Sequence, residues 1–144
     1  MLTVVYFGFG REDLFVRLDG VRPLVDLIAD GYEFSLKFVR PEGVRFSVRA
    51  RHGRPAGAFW DKIGKGAEAP RWVERGPGGT RVAAGRVIEA AVPLADLRLG
   101  AGAPVAFSVT VFDAAGRLVE RHPGRGLFEA DVPDERFEAR NWTV

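Results

Sequence analysis

Tyr32-Glu-Phe-Ser-Leu-Lys-Phe38 and, beyond a break at Pro41 and Gly43, Val44-Arg-Phe-Ser-Val-Arg-Ala50 decide how this chain folds. In both stretches every second residue is apolar, and the residues between are Glu, Ser, Lys or Arg. A period of two places one set on a buried face and the other on a solvent face, which is the signature of a β-strand. Working outward, the same alternation recurs in Leu2–Phe9, in residues 13–19, in 85–92 up to Pro93, in 105–111 and in Leu118–His122. Asp113-Ala-Ala-Gly116 reads as the turn of a hairpin between two such runs. No long amphipathic helix interrupts the series, and short helical turns are expected only over 22–29, 93–97 and 133–137. The expected fold is therefore all-β, an immunoglobulin-like or jelly-roll antiparallel β-sandwich forming one domain over residues 1–144.

One stretch breaks the rhythm. Residues 52–81 hold ten of the chain's 27 glycines and prolines, together with Trp60 and Trp72. It reads as one long irregular loop, and loops of that length inside a compact domain tend to be functional or disordered.

Composition narrows the chemistry. The 144 residues suffice for one hydrophobic core, and with no cysteine and two histidines, thiol catalysis, disulfides and Cys or multi-His metal sites are excluded. A formal net charge of +2 is too small a field to favour nucleic acid. Few Asn, Gln, Cys and Met residues fit a protein from a hot environment. No segment reads as a membrane span or secretory leader, so a chain standing alone is expected in the cytoplasm.

Catalytic motifs fail one after another. Gly8-Phe-Gly10 is followed by Asp13 and a strand where a dinucleotide loop needs a third glycine and a helix. Gly64-Lys65 lacks the upstream glycine and the following Ser or Thr of a phosphate loop. Ser35, Ser47 and Ser108 lie within strands and not in a nucleophile elbow. Asp61, Glu68 and Glu74 are the only carboxylate cluster worth weighing for glycoside hydrolysis, and charged loop residues are ordinarily solvated. The chain is read as non-enzymatic. No cofactor is assigned; calcium is chemically possible near Asp13, Asp19, Asp131 and Asp134, without an EF-hand-like spacing. Arg45, Arg49 and Arg51, flanked by Arg40 and Arg54, read first as a solvated or aggregation-blocking sheet face. Their other reading is a surface for an acidic partner or a neighbouring domain.

Several segments, in order, resemble one family: Tyr6-Phe-Gly-Phe-Gly-Arg-Glu-Asp-Leu-Phe-Val-Arg-Leu-Asp19, Glu89-Ala-Ala-Val-Pro-Leu-Ala-Asp-Leu97, Val105-Ala-Phe-Ser-Val-Thr-Val111, Leu118-Val-Glu-Arg-His-Pro-Gly124 and Val132-Pro-Asp-Glu-Arg-Phe-Glu-Ala-Arg-Asn-Trp-Thr-Val144. The set is similar to the C-terminal β-sandwich module that follows the catalytic domains of family 57 glycoside hydrolases and of glucodextranase. That module belongs to the DOMON-like group, with the family 9 carbohydrate-binding modules. The resemblance implies a non-catalytic module that binds an α-glucan such as starch, glycogen or a maltooligosaccharide. The alternative is a structural domain that packs on a catalytic partner and binds no sugar. Haem binding, as in some DOMON modules, would need axial ligands from Met1, His52 and His122.

Related modules hold sugar between two tryptophans, so by residue type Trp60 and Trp72 are the sugar candidates, with Arg71, Asp61 and Glu74 as neighbouring hydrogen-bonding groups. Their structural reading is that the tryptophans cap the core. Trp142 is read as structural, and Arg17 and Asp19 as surface groups outside any site.

Overall fold

The computed structural model describes residues 1–64 and 66–134, and Trp142 lies outside the described residues. Alternation becomes sheet in every run where it was expected, with one boundary moved. Among the described residues eleven strands and one short helix follow in the order β1 (Leu2–Phe9), β2 (Asp13–Gly20), α1 (Leu24–Ala29), β3 (Glu33–Arg40), β4 (Val44–Arg51), β5 (Arg54–Ile63), β6 (Arg71–Gly76), β7 (Arg81–Ala84), β8 (Ile88–Pro93), β9 (Pro104–Phe112), β10 (Leu118–His122) and β11 (Phe128–Asp131). They form two antiparallel sheets. The smaller has the order β1-β2-β8-β7, and the larger has the order β10-β9-β3-β4-β5-β6, with β11 beside β9.

Residues 52–81 depart from expectation. They are not one irregular loop: β5 and β6 pair there as a hairpin, and β7 starts at its end. Gly and Pro content misled, because Pro55 and Gly57 sit inside β5 itself. A Cβ at Gly57 would lie 2.8 Å from the Phe46 ring and 3.0 Å from Val82, so glycine is what lets β5 approach β7. The expected strand over 85–92 begins three residues later, at Ile88, after the turn that joins β7 to β8. The expected helical turn over 22–29 is α1, which buries Leu24, Leu27 and Ile28 and docks by Leu24 N–H and Val25 N–H on the carbonyls of Arg86 and Gly85. Residues 94–98 form the second turn, while the third runs beyond the described residues.

The core lies between the sheets. Leu14, Val16, Leu18, Ile88, Ala90 and Val92 come from the small sheet, facing Phe34, Leu36, Phe46, Val48, Phe107 and Val109 of the large one. Phe107 meets Phe7 at 5.2 Å and Phe128 at 5.4 Å between ring centroids, and Phe46 meets Phe59 at 5.2 Å. The gap between the two sheets measures about 10 Å³, room for one water at most, so this interior holds no ligand. Any binding surface must lie on an outer face or at an end of the sandwich. At one corner Leu2 N–H donates to Glu120 Oε1 at 3.0 Å, which ties β1 of one sheet to β10 of the other. Among the described residues no helix is long and apolar enough to cross a membrane.

Candidate functional site

Strand register decides which side chains share a face. On the outside of the large sheet Arg45 pairs with Trp60, Trp60 with Glu74, and Lys62 with Trp72, so these five residues stand together. Asp61 and Arg71 belong to the intervening positions and point the other way. The five expected site residues therefore separate: Trp60, Trp72 and Glu74 lie on the outer face, Asp61 and Arg71 on its reverse. Read as a loop, the segment gave no ground for that separation; read as strands, period two requires it.

The tryptophans do come together, with a guanidinium already between them. The Arg45 Cζ atom lies 5.0 Å from the centre of the Trp60 ring and 5.1 Å from that of Trp72, and Arg49 lies 5.2 Å from Trp60. Trp60 Nε1–H donates to Ser47 Oγ at 2.8 Å, which fixes the indole against the sheet. Glu33 is 3.9 Å from both Arg45 and Arg49, and Ser35 Oγ donates to it at 3.0 Å. Burial pulls the Arg45 pKa below its ordinary range, with Glu33 opposing and Arg49 reinforcing the shift, though a guanidinium stays charged. Its Nε is buried with no hydrogen-bond partner among the described residues. Beneath, Ser47 and Ser35 are almost completely covered. Glu74 is taken by Arg51 at 2.6 and 2.7 Å. As it stands, this face has filled its aromatic slot with its own arginine.

On the reverse, Asp61 accepts both arms of the Arg75 fork at 3.0 Å and lies 3.5 Å from Arg98. The Arg75 hydrogen bonds hold its carboxyl below the ordinary aspartate range. Arg75 also donates to the Asp96 carbonyl at 2.6 Å and covers the Phe59 ring at 5.0 Å. Asp61 is thus a bracket over one end of the core. Arg71 is exposed.

The outside of the small sheet is arranged differently. Register there lays out two rows across four strands, Tyr6-Arg17-Glu89-Ala83 and Gly8-Phe15-Ala91-Arg81. Small residues at Gly8, Ala83 and Ala91 leave a floor, and the rows enclose a groove of about 540 Å³. Tyr6 is 52% exposed and Phe15 45%, so both rings remain available. Phe15 leans toward Gly10, where a Cβ would come within 2.5 Å of its ring, while nothing lies within 4 Å of one at Gly8. Arg17 sits 5.6 Å from the centre of Tyr6 and is held by Asp19 through bonds of 2.7 and 3.1 Å. That fork raises the Arg17 pKa. Among the described residues the Glu89 side chain accepts no hydrogen bond, and the Arg81 guanidinium reaches only Asp13, at 3.5 Å. The expectation that Arg17 and Asp19 stand outside any site meets a groove wall that includes Arg17. The sequence signal was the exposed-face pattern of Tyr6, Gly8, Phe15 and Arg17 within two alternating strands.

Among the described residues no three Asp, Glu or His side chains converge as a metal site would need, Asp13, Asp19, Asp131 and Asp134 included. His122 is hydrogen-bonded to Glu120 at 2.5 Å, and His52 occupies a left-handed turn at φ 52°. No protein-family model matches the chain, and no curated protein or solved structure matches it either.

Proposed function

We propose that this chain is a non-catalytic carbohydrate-binding module of the kind attached to glucan-active glycoside hydrolases, and that it holds α-glucan on the outer face of the small sheet. The observation that carries this reading is the open groove with the exposed rings of Tyr6 and Phe15 over an Ala and Gly floor. A sugar presents an apolar C–H face and a rim of hydroxyls. The first suits an aromatic ring, and the second suits charged side chains that can bond several hydroxyls at once. Arg17, Arg81 and Glu89 supply donors and an acceptor around the rings. The ordered sequence resemblance to the family 57 accessory module supports the same class. Trp60 and Trp72 remain the sugar candidates by residue type, but a ring could enter between them only after Arg45 had left.

The test is calorimetric titration with maltooligosaccharides, and affinity electrophoresis in glycogen, on the parent and on Tyr6→Ala, Phe15→Ala, Trp60→Ala and Trp72→Ala. Saturable binding that falls about tenfold in either small-sheet variant supports the reading, because truncating an anchoring aromatic costs at least about 1.4 kcal/mol. Loss confined to the tryptophan variants would move the site to the large sheet. A folded protein that binds no α-glucan would favour the other class, a domain packing on a catalytic partner.

A further inference from the structure

The groove on the small sheet does not end with its second row. A third row on the same face, Asp13 paired with Pro93, opens beside Gly79 into a second cleft of about 610 Å³ at the end of the sandwich. Arg81 lines both, and its 3.5 Å contact with Asp13 stands at the junction. Each recess falls within the range of a small-molecule pocket, about 300–1,000 Å³. Rows on one strand face repeat every two residues, so three rows already run about 13 Å along the strands, longer than one pyranose ring.

Resting on the carbohydrate reading above, we infer that the ligand is a linear, uncharged sugar chain that lies parallel to the strands. It starts over Tyr6 and Phe15, passes Arg81 and continues into the end cleft beside Gly79, Pro93 and Leu99. The charge balance selects an uncharged chain: across the two recesses Arg11, Arg17 and Arg81 face Glu12, Asp13 and Glu89. A polyanionic chain would find as much repulsion as attraction there, whereas hydroxyls can use either sign as a hydrogen-bonding partner. The lining also changes along the path. Exposed rings dominate over the sheet, and the end cleft offers Gly, Ala and Pro surfaces between charged groups. A chain is thus gripped by stacking at one end and by hydroxyl contacts at the other. The Arg81–Asp13 contact is long and Arg81 is exposed, so Arg81 is free to turn toward a hydroxyl passing the junction.

Calorimetry with maltose, maltotriose, maltotetraose and maltohexaose on three proteins tests this: the parent, Arg81→Ala and Ala101→Trp, the last placing an indole on an exposed turn in the end cleft. In the parent, affinity should rise about tenfold or more from maltose to maltohexaose. Ala101→Trp should bind maltose as the parent does and lose most of that rise, and Arg81→Ala should lose part of it. Equal affinity for maltose and maltohexaose in the parent, or an undiminished rise in Ala101→Trp with an unchanged melting temperature, would overturn the inference and leave the sugar reading standing. Binding of none of the four sugars would overturn both together. A charged oligosaccharide such as oligogalacturonate binding more tightly than maltohexaose would overturn the uncharged-chain assignment.

Discussion

The outer faces of the two sheets contain the same materials, aromatic rings and arginines, packed together to different extents. On the large sheet Arg45 lies 5.0 and 5.1 Å from the ring centres of Trp60 and Trp72, and on the small sheet Arg17 lies over Tyr6 at a longer 5.6 Å, with that ring still 52% exposed. The difference traces to where the carboxylates are. Asp19, two residues along the strand, grips Arg17 with two bonds and holds it at the edge of the groove. Glu33 comes no nearer than 3.9 Å to Arg45, so this guanidinium takes its stabilisation from the indole faces instead. Of these two faces, the one with the closer carboxylate has the longer arginine–ring contact and the more exposed ring.

The comparison breaks most readily at Trp60. Trp60→Ala removes a largely buried indole, its bond to Ser47 and two cation–π contacts, and should lower unfolding stability by about 2–4 kcal/mol in chemical denaturation. Glycan affinity should stay unchanged in that variant at temperatures where it is folded. Tyr6→Ala should do the reverse, costing about tenfold in affinity and less than about 0.5 kcal/mol in stability, as for an exposed surface position. Should both variants lose stability and binding alike, the division of labour between the faces fails.

A finer cut is Asp19→Asn, which weakens the Arg17 clamp without touching the groove floor. Arg17, already over the Tyr6 ring at 5.6 Å from its centre, should then close further onto it, weakening glycan binding about threefold, a loss of roughly 0.7 kcal/mol. Unaltered affinity would mean the clamp does not keep the ring clear. The smallest effect concerns pH. The Asp61 carboxyl is held below the aspartate value of 3.8 by Arg75, so its stabilisation is complete above the unfolded-state value and disappears as pH falls through the lower folded value. Between pH 5 and pH 2 the parent should lose more stability than Asp61→Asn, measured by thermal melting. Glycan affinity at pH 5 should be the same in both.

Much of the architecture could be read before any coordinates. Leu14, Val16, Leu18, Phe34, Leu36, Phe46, Val48, Phe107 and Val109 all alternate in the chain, and all are in the core. The hairpin turn at Asp113–Gly116 is where its residues indicate, with Asp113 N–H and the Arg117 carbonyl closing it. Strands β5 and β6 were not legible, because their Gly and Pro residues carry breaker signals that tertiary packing overrides, Gly57 for lack of room and Pro55 near the start of its strand. The site was legible only in part. Aromatic residues in a strange segment attract notice, yet whether a ring is available depends on what lies against it, and Arg45 reaches Trp72 from a strand two places away in the sheet. No local pattern records that.

The filled slot also determines what light can report. Trp60 and Trp72 both stand on the large sheet, behind the whole thickness of the core from Tyr6 and Phe15. Their emission senses the packing of Arg45 and Arg49, and therefore unfolding, but it is deaf to a sugar resting on the opposite sheet. With Trp142, which lies outside the described residues, replaced by Phe, a silent indole titration is the expected accompaniment of binding at Tyr6. A bright or quenched one would announce that Arg45 had moved.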